Sequence, residues 1–422
     1  ILLFVLDKNL SKHWDTSEKR QGFYFSSLVG LEKNLASRGV SLLIREGEPS
    51  QEIGKVLTEF QIRTVFLNGE DTPYGLARDE KILSVCGDLG VKVEICSDDH
   101  LTVPGLVAKD DGSPYTVFTP YYKKALKFEV PTPRQPSLES IVKTSGPQAQ
   151  EFPEISRWCS VENPGYELDS DDTKKILSRL ENVKDYKRSR DIPSEDGTSR
   201  LSAFLRFGIV SARQVFHYFD DGEAEFAELI RRQLYWRDFY KQIALNFPHV
   251  YRKSFRAQYD TIRWTNDPKL FELWTFGKTG FPIVDAGMRE LNQTGFMHNR
   301  ARMITASFLV KNLHVDWRAG AKYFAEKLID YDPAVNNGNW QWAASTGCDA
   351  QPYFRIFNPW RQQKNFDPDC VYIKRWVPEL AGFSAKDIHA MEAMEGNYLT
   401  KIINLRETAE ETKLMFKQAS QT

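Results

Sequence analysis

No two of the five cysteines stand at C-x-x-C spacing, and their number is odd. That excludes a disulfide framework and a cysteine-built zinc site, and it suits a reducing compartment. Neither sign of charge is in excess: 56 Lys+Arg face 57 Asp+Glu, for a net charge of -1 and a pI near 6.8. Without a global basic field, an acidic partner has to be held by a local patch. Apolar runs are short at a mean hydropathy of -0.48, and none approaches the roughly 18 residues of a membrane span. No signal or transit peptide is visible. H-E-x-x-H and Cys/His clusters are missing, and so, in the first half, are the G-x-G-x-x-G and G-x-x-x-x-G-K-[ST] phosphate loops. An intracellular protein of cytoplasm, nucleoid or nucleus is expected, monomeric and with neither metal nor membrane. Its 422 residues suffice for two or three domains.

What is present falls into two halves. Up to about residue 130, β-rich runs at 1–6, 41–44, 64–67 and 91–95 alternate with helix-length stretches near 20–37, 50–60 and 75–89. Gly39 and Gly90 sit where helix C-caps belong. This alternation predicts an α/β domain whose parallel sheet is covered on both faces. The chain opens directly on the strand pattern of residues 1–6 without a Met, so its natural N-terminus is expected upstream. Six prolines between Pro131 and Pro164 predict an extended connection over 131–171. From 172 to 422 the apolar period becomes helical, which predicts an all-α domain.

Eight of the ten tryptophans lie in the helical half, and residues 186–303 carry 19 Lys+Arg against 14 Asp+Glu. Basic groups interleaved with aromatics suit a phosphate backbone and stacked bases. Two blocks are more specific. Thr198-Ser199-Arg200-Leu201-Ser202, with Tyr186 and Arg190 before it, offers hydroxyls and amides at a helix start, which suits either a pyrophosphate or an ordinary N-cap. The second block runs from Lys278 through His298-Asn299-Arg300-Ala301-Arg302-Met303 and Trp317 to Asp330-Tyr331-Asp332 and Asn336-Asn337-Gly338-Asn339-Trp340-Gln341-Trp342. Within it Asn299 and Met303 share a helix face, while Arg302 is turned toward another partner.

These residues resemble the photolyase and cryptochrome family, most closely the class I type that acts on cyclobutane pyrimidine dimers. The resemblance implies a Rossmann-like antenna domain over 1–130, lacking its usual first strand, and a helical FAD-binding domain over 172–422. It implies FAD held by Tyr186, Thr198 to Ser202, Arg302, Asp330, Tyr331, Asp332 and Asn336, with Arg302 paired to Asp330 and Asn336 facing the flavin. Trp264, Trp317 and Trp340, at spacings of 53 and 23, match the family's electron-transfer chain from outermost to innermost. Positions that meet damaged DNA match Arg190, Gln233, Trp236, Arg237, Asn299, Arg300, Met303, Trp342 and Gln362. Of these, Arg190, Arg237 and Arg300 would take DNA phosphates, and Arg237 and Arg300 are assigned to that role and not to core ion pairs.

The implied activity is light-driven splitting of a dimer flipped out of DNA; the alternatives are a (6-4) photolyase and a signalling cryptochrome. Asn299 and Met303 stand where (6-4) enzymes carry two histidines, which favours the dimer. Gln233 stands where dimer enzymes usually carry Glu and (6-4) enzymes and animal cryptochromes carry Gln, which favours the alternatives. Gly75 resembles the place of a folate-binding glutamate, so a second, antenna chromophore is expected to be a deazaflavin or a flavin and not folate.

Overall fold

The computed structural model describes residues 1–422 except 8, 11–16, 135–136, 140, 142, 162–172, 196, 220–224, 392–397 and 422. Two compact units share the chain in alternation. One is built from Ile1–Tyr115, Thr119–Arg179 and Leu201–Pro248, the other from Thr116–Phe118, Leu180–Arg200 and His249–Thr422.

The first unit begins with β1 (Leu2–Leu6), α1 (Glu18–Ser37), β2 (Leu42–Glu46), α2 (Pro49–Glu59), β3 (Thr64–Asn68), α3 (Pro73–Asp88) and β4 (Lys92–Cys96). Each expected strand and helix forms, shifted by one or two residues. Helices α1 and α3 stop where Gly39 and Gly90 adopt φ of +74° and +67°. At both ends the glycine N–H and the next N–H fold back onto helix carbonyls: Gly39 to Ala36 and Val40 to Leu35, Gly90 to Gly87 and Val91 to Cys86. This left-handed stop needs a residue without a Cβ penalty.

Pairing is parallel, as alternation requires, but the strands join two and two: β1 with β2 (Leu2 opposite Leu42) and β3 with β4 (Thr64 opposite Lys92). Cover on both faces, expected from the sequence, is not complete, for Phe66 on β3 is 71% exposed and Ile95 on β4 is 53% exposed. The proline-rich stretch also differs from expectation. Pro153–Cys159 is helical, and Ala149, Ile155 and Trp158 pack with Leu6, Leu28, Val29 and Ile44. Proline supports this because it opens the helix at its first position, where no N–H is needed. Residues 162–171 of the expected connection lie outside the described residues. The same unit carries α4 (Glu225–Asn246).

The second unit is helical: α5 (Pro268–Thr275), α6 (Pro282–Thr294), α7 (Asn299–Lys311), α8 (Trp317–Lys327), α9 (Pro333–Ala344), α10 (Pro359–Phe366), α11 (Val371–Trp376) and α12 (Leu405–Ala419), with shorter turns between. Proline at the first turn and a side-chain cap from Asp267, Asp332 or Asn358 start α5, α9 and α10. One apolar core joins α6, α7, α8, α9 and α11 through residues such as Ile283, Met288, Phe308, Leu309, Phe324 and Ile373.

Candidate functional site

The first turn of α7 gathers most of the singled-out side chains of the second unit. His298 caps it, its Nδ1 accepting from the Arg300 N–H at 3.1 Å. Burial, opposed by Asp191 and reinforced by Arg302, Arg300 and Arg200, pushes the imidazole down to about 4. The ring is therefore neutral at pH 7, with its proton on Nε2, a buried atom that has no hydrogen-bond partner among the described residues. Asn299 and Met303 do share a face: Asn299 Nδ2 lies 3.6 Å from Met303 Sδ. Arg302 turns away as its offset requires, donating to the Met297 carbonyl at 2.7 Å and pairing with Asp330 at 2.9 Å.

Beneath this turn lies a buried carboxylate that no sequence pattern singles out. Glu290 on α6 accepts from the His298 N–H at 3.2 Å and from the Tyr372 hydroxyl at 2.6 Å. Burial pushes its carboxyl up, while the two hydrogen bonds and the charges of Arg200 and Arg302 hold it down. It anchors the backbone from which Asn299, Arg300, Arg302 and Met303 project.

Arg200 belongs to the same cluster. Its φ is +50°, and its guanidinium lies 5.1 Å from the Phe296 ring centre, with that of Arg302 at 5.8 Å from the same ring. The helix that follows, Ser202–Arg206, is preceded by Leu201 and has no side-chain cap. Thr198 and Ser199 are thus not its N-cap. Tyr186 lies under Arg190 at 5.7 Å. Asp332 caps α9 through the N–H groups of Ala334 and Val335, both at 3.0 Å, and Tyr331 is half-buried. Asn336 lies inside α9 and not in a turn; its Nδ2 donates to Ala321 O at 3.1 Å.

The three tryptophans differ in setting. Trp264 is half-buried and meets the Phe416 ring edge-on at 6.1 Å. Trp317 is buried, its indole N–H has no acceptor among the described residues, and Arg318 lies 4.9 Å from its ring centre. Trp340 packs edge-to-face on Phe324 at 4.9 Å and on Trp274 at 6.3 Å. Gly320 on α8 admits Trp340: a Cβ there would stand 2.2 Å from Trp340 Cη2 and 2.5 Å from Leu309 Cδ2. Gly320→Ala is therefore expected to cost about 1–3 kcal/mol of stability, measured as a denaturation midpoint. Trp340→Phe, which removes the outer ring atoms, should absorb most of that cost. A fully additive double variant would show that Gly320 does not act on Trp340.

On α4 of the first unit, Gln233 is exposed, its Nε2 donating to Leu229 O at 3.3 Å, and Trp236 packs on Phe239 and Tyr240 at 5.7 and 5.6 Å. Two assignments are corrected here. Arg237, expected to be free for phosphate, is bound by Asp99, whose carboxylate also takes Lys241 one turn along the same face. Arg300 likewise pairs with Asp191 at 2.7 Å and lies 4.0 Å from the Phe366 ring centre. Both guanidiniums are engaged in partly buried ion pairs because each helix carries its cation inward against a loop carboxylate. Trp342 and Gln362 are half-buried, and Gln362 Oε1 lacks a partner among the described residues. Among those residues no three His, Cys, Asp or Glu side chains form a metal-sized group, and no helix is long and apolar enough to cross a membrane.

The chemistry of this donor set fits FAD. Cations at Arg200 and Arg302, hydroxyls at Thr198 and Ser199 not spent on capping, and the unpartnered His298 Nε2 suit an anionic, hydrogen-bonding group. Comparison with known proteins agrees. Residues 229–418 match the FAD-binding domain of DNA photolyase, and residues 1–137 match the DNA photolyase family. The deoxyribodipyrimidine photo-lyase of Alkalihalophilus pseudofirmus is 39% identical over 85% of this chain and 77% of its own length. That of Escherichia coli is 37% identical over 90% and 83%. Among solved structures, a Sulfolobus tokodaii photolyase with two FAD molecules superposes with a TM-score of 0.89 at 37% identity, covering 99% of this chain and 93% of that one. A Synechocystis cryptochrome superposes at 0.80 and 27%, covering 98% and 92%. With its fold and its relatives in agreement over nearly its whole length, the chain belongs to the DNA photolyase family.

Proposed function

We propose that this protein repairs cyclobutane pyrimidine dimers in DNA with light absorbed by bound FAD. The first turn of α7 carries the reading: Asn299 and Met303 touch each other on its exposed side, at the two positions where a (6-4) reaction would need histidines. His298 does not replace them, being neutral, buried and committed through Nδ1 to the helix N-terminus.

FAD, when bound, supplies the light absorption and the electron that splits the dimer. The chain's own groups hold and tune it. Thr198, Ser199 and Ser202 would bind its phosphates, with Tyr186, Arg200, Leu201, Tyr331 and Asp332 lining the site. The Arg302–Asp330 pair would keep a charged group of each sign beside the flavin. Asn336, already donating to Ala321 O, would present its carbonyl oxygen to the flavin, where it can accept from a protonated ring nitrogen. A damaged, poorly stacked base costs less to flip out than an intact one. Trp342, with Asn299, Met303 and Gln362, would meet the flipped bases, and on α4 Gln233 and Trp236 are proposed to meet damaged DNA as well. Arg190 would take a phosphate, while Asp99 holds Arg237 on α4 and Asp191 holds Arg300 on α7.

The functional division is 1–130 for the antenna part, 131–171 for the connection and 172–422 for the FAD-binding part, acting as a monomer inside the cell. For the antenna we propose a second flavin or a deazaflavin. The two FAD molecules of the Sulfolobus tokodaii relative support this, and so does Gly75, where an added Cβ would stand 2.3 Å from Glu70 Cβ.

Gln233 is the test of lesion choice. Gln233→Glu is expected to raise dimer repair per absorbed photon while changing dimer affinity by less than about 1 kcal/mol, since both side chains accept a hydrogen bond of similar geometry. Quantum yields with a thymine-dimer oligonucleotide measure it. No repair by either form would sink the dimer reading.

A further inference from the structure

Among the described residues, Trp340 has two ring neighbours, Phe324 and Trp274, and Trp317 is not one of them. Trp274, on α5, meets Trp340 edge-to-face at 6.3 Å and 72°. It is fully buried, and its indole N–H donates to the Thr305 carbonyl at 3.1 Å. A hydrogen bond from N–H to a carbonyl strengthens when the ring becomes positive, because the donor is then charged. Trp317 lacks that support. Its N–H has no acceptor among the described residues, and the Arg318 guanidinium near its ring repels a second positive charge, though Asp316 and Asp260 reduce that effect.

We propose that Trp274 is a further electron donor to Trp340, competing with Trp317 for the positive charge left on Trp340 after light-driven electron transfer. This rests on the reading of Trp340 as the innermost donor. One electron passes from the Trp274 indole to the Trp340 radical cation, restoring neutral Trp340 and leaving a radical cation on Trp274. No bond forms or breaks, and no proton moves, because the Thr305 carbonyl is not a base. Beyond Trp274 the next oxidisable ring is Tyr323, at 5.8 Å, whose hydroxyl is bound to Asn292 Oδ1 at 2.6 Å. An amide oxygen does not take a phenol's proton, so Tyr323 is not oxidised and the charge rests on Trp274 until it returns.

The experiment follows tryptophan radical-cation absorption after a blue flash in the FAD-loaded protein. Trp317→Phe interrupts the family route at its middle ring. Expected is a component in Trp317→Phe that outlives the signal of Trp340→Phe and is lost in Trp317→Phe combined with Trp274→Phe. If Trp274→Phe does not retain FAD, Trp274→Tyr is used, since tyrosine fills much of the same space and must shed a proton when oxidised. Identical decays in the single and double variants, with Trp340→Phe silent, overturn the role of Trp274 alone. A long-lived tryptophan signal in Trp340→Phe overturns the innermost-donor reading and this proposal with it.

Discussion

Trp340→Phe is expected to abolish photoreduction of the bound FAD under blue light with an external reductant. Trp340 is buried in ring contact with Phe324 and Trp274, so the variant keeps an aromatic ring in the core but removes the indole proposed as the electron donor. Its fold should survive, because the loss of a few ring atoms costs less than full truncation to alanine. Flavin absorbance per protein serves as the control for occupancy. Reduction at the parent rate with FAD still in place would remove Trp340, and with it the chain Trp264–Trp317–Trp340, from the mechanism.

Asp330→Ala is expected to be the most damaging single change to cofactor retention. The Asp330 side chain is 4% exposed and takes Arg302 Nη2 through both oxygens, at 3.2 and 2.9 Å. Removing it strands a partly buried guanidinium, a change worth about 3 kcal/mol when one partner of a buried pair is deleted. The Met297 carbonyl remains as a partial substitute. A lower thermal midpoint and a lower flavin-to-protein ratio after dialysis should appear together. Arg302→Met in the same chain should recover part of the midpoint, because no uncompensated charge then remains, but not the flavin. An unchanged flavin ratio in Asp330→Ala would place the ion pair outside the cofactor site.

Local features were legible in the sequence where local chemistry decides them. The offset of Arg302 from the Asn299–Met303 face follows from helix period alone, and the stops at Gly39 and Gly90 follow from the need for positive φ. The ion pairs of Arg300 and Arg237 were not legible, because their carboxylates lie 109 and 138 positions away and no periodicity connects them. Glu290 was missed because a charged residue in an amphipathic helix is ordinarily solvated; only the approach of Tyr372 and the His298 N–H shows that it is buried. Trp274 reads as core filling, and its contact with Trp340 depends on how α5 meets α9. Asn336 illustrates the opposite case, since Asn-Asn-Gly is a turn signal by composition yet continues a helix whose cap, Asp332, stands four residues earlier.

Cyclobutane-dimer repair is tested most directly by product analysis after illumination. The reduced, FAD-loaded protein is given one oligonucleotide carrying a thymine cyclobutane dimer and another carrying a (6-4) photoproduct, each with a dark control. Restored thymines are expected in the first, dependent on light, and an unchanged lesion in the second. Repair of the (6-4) photoproduct, or of neither lesion, would contradict it.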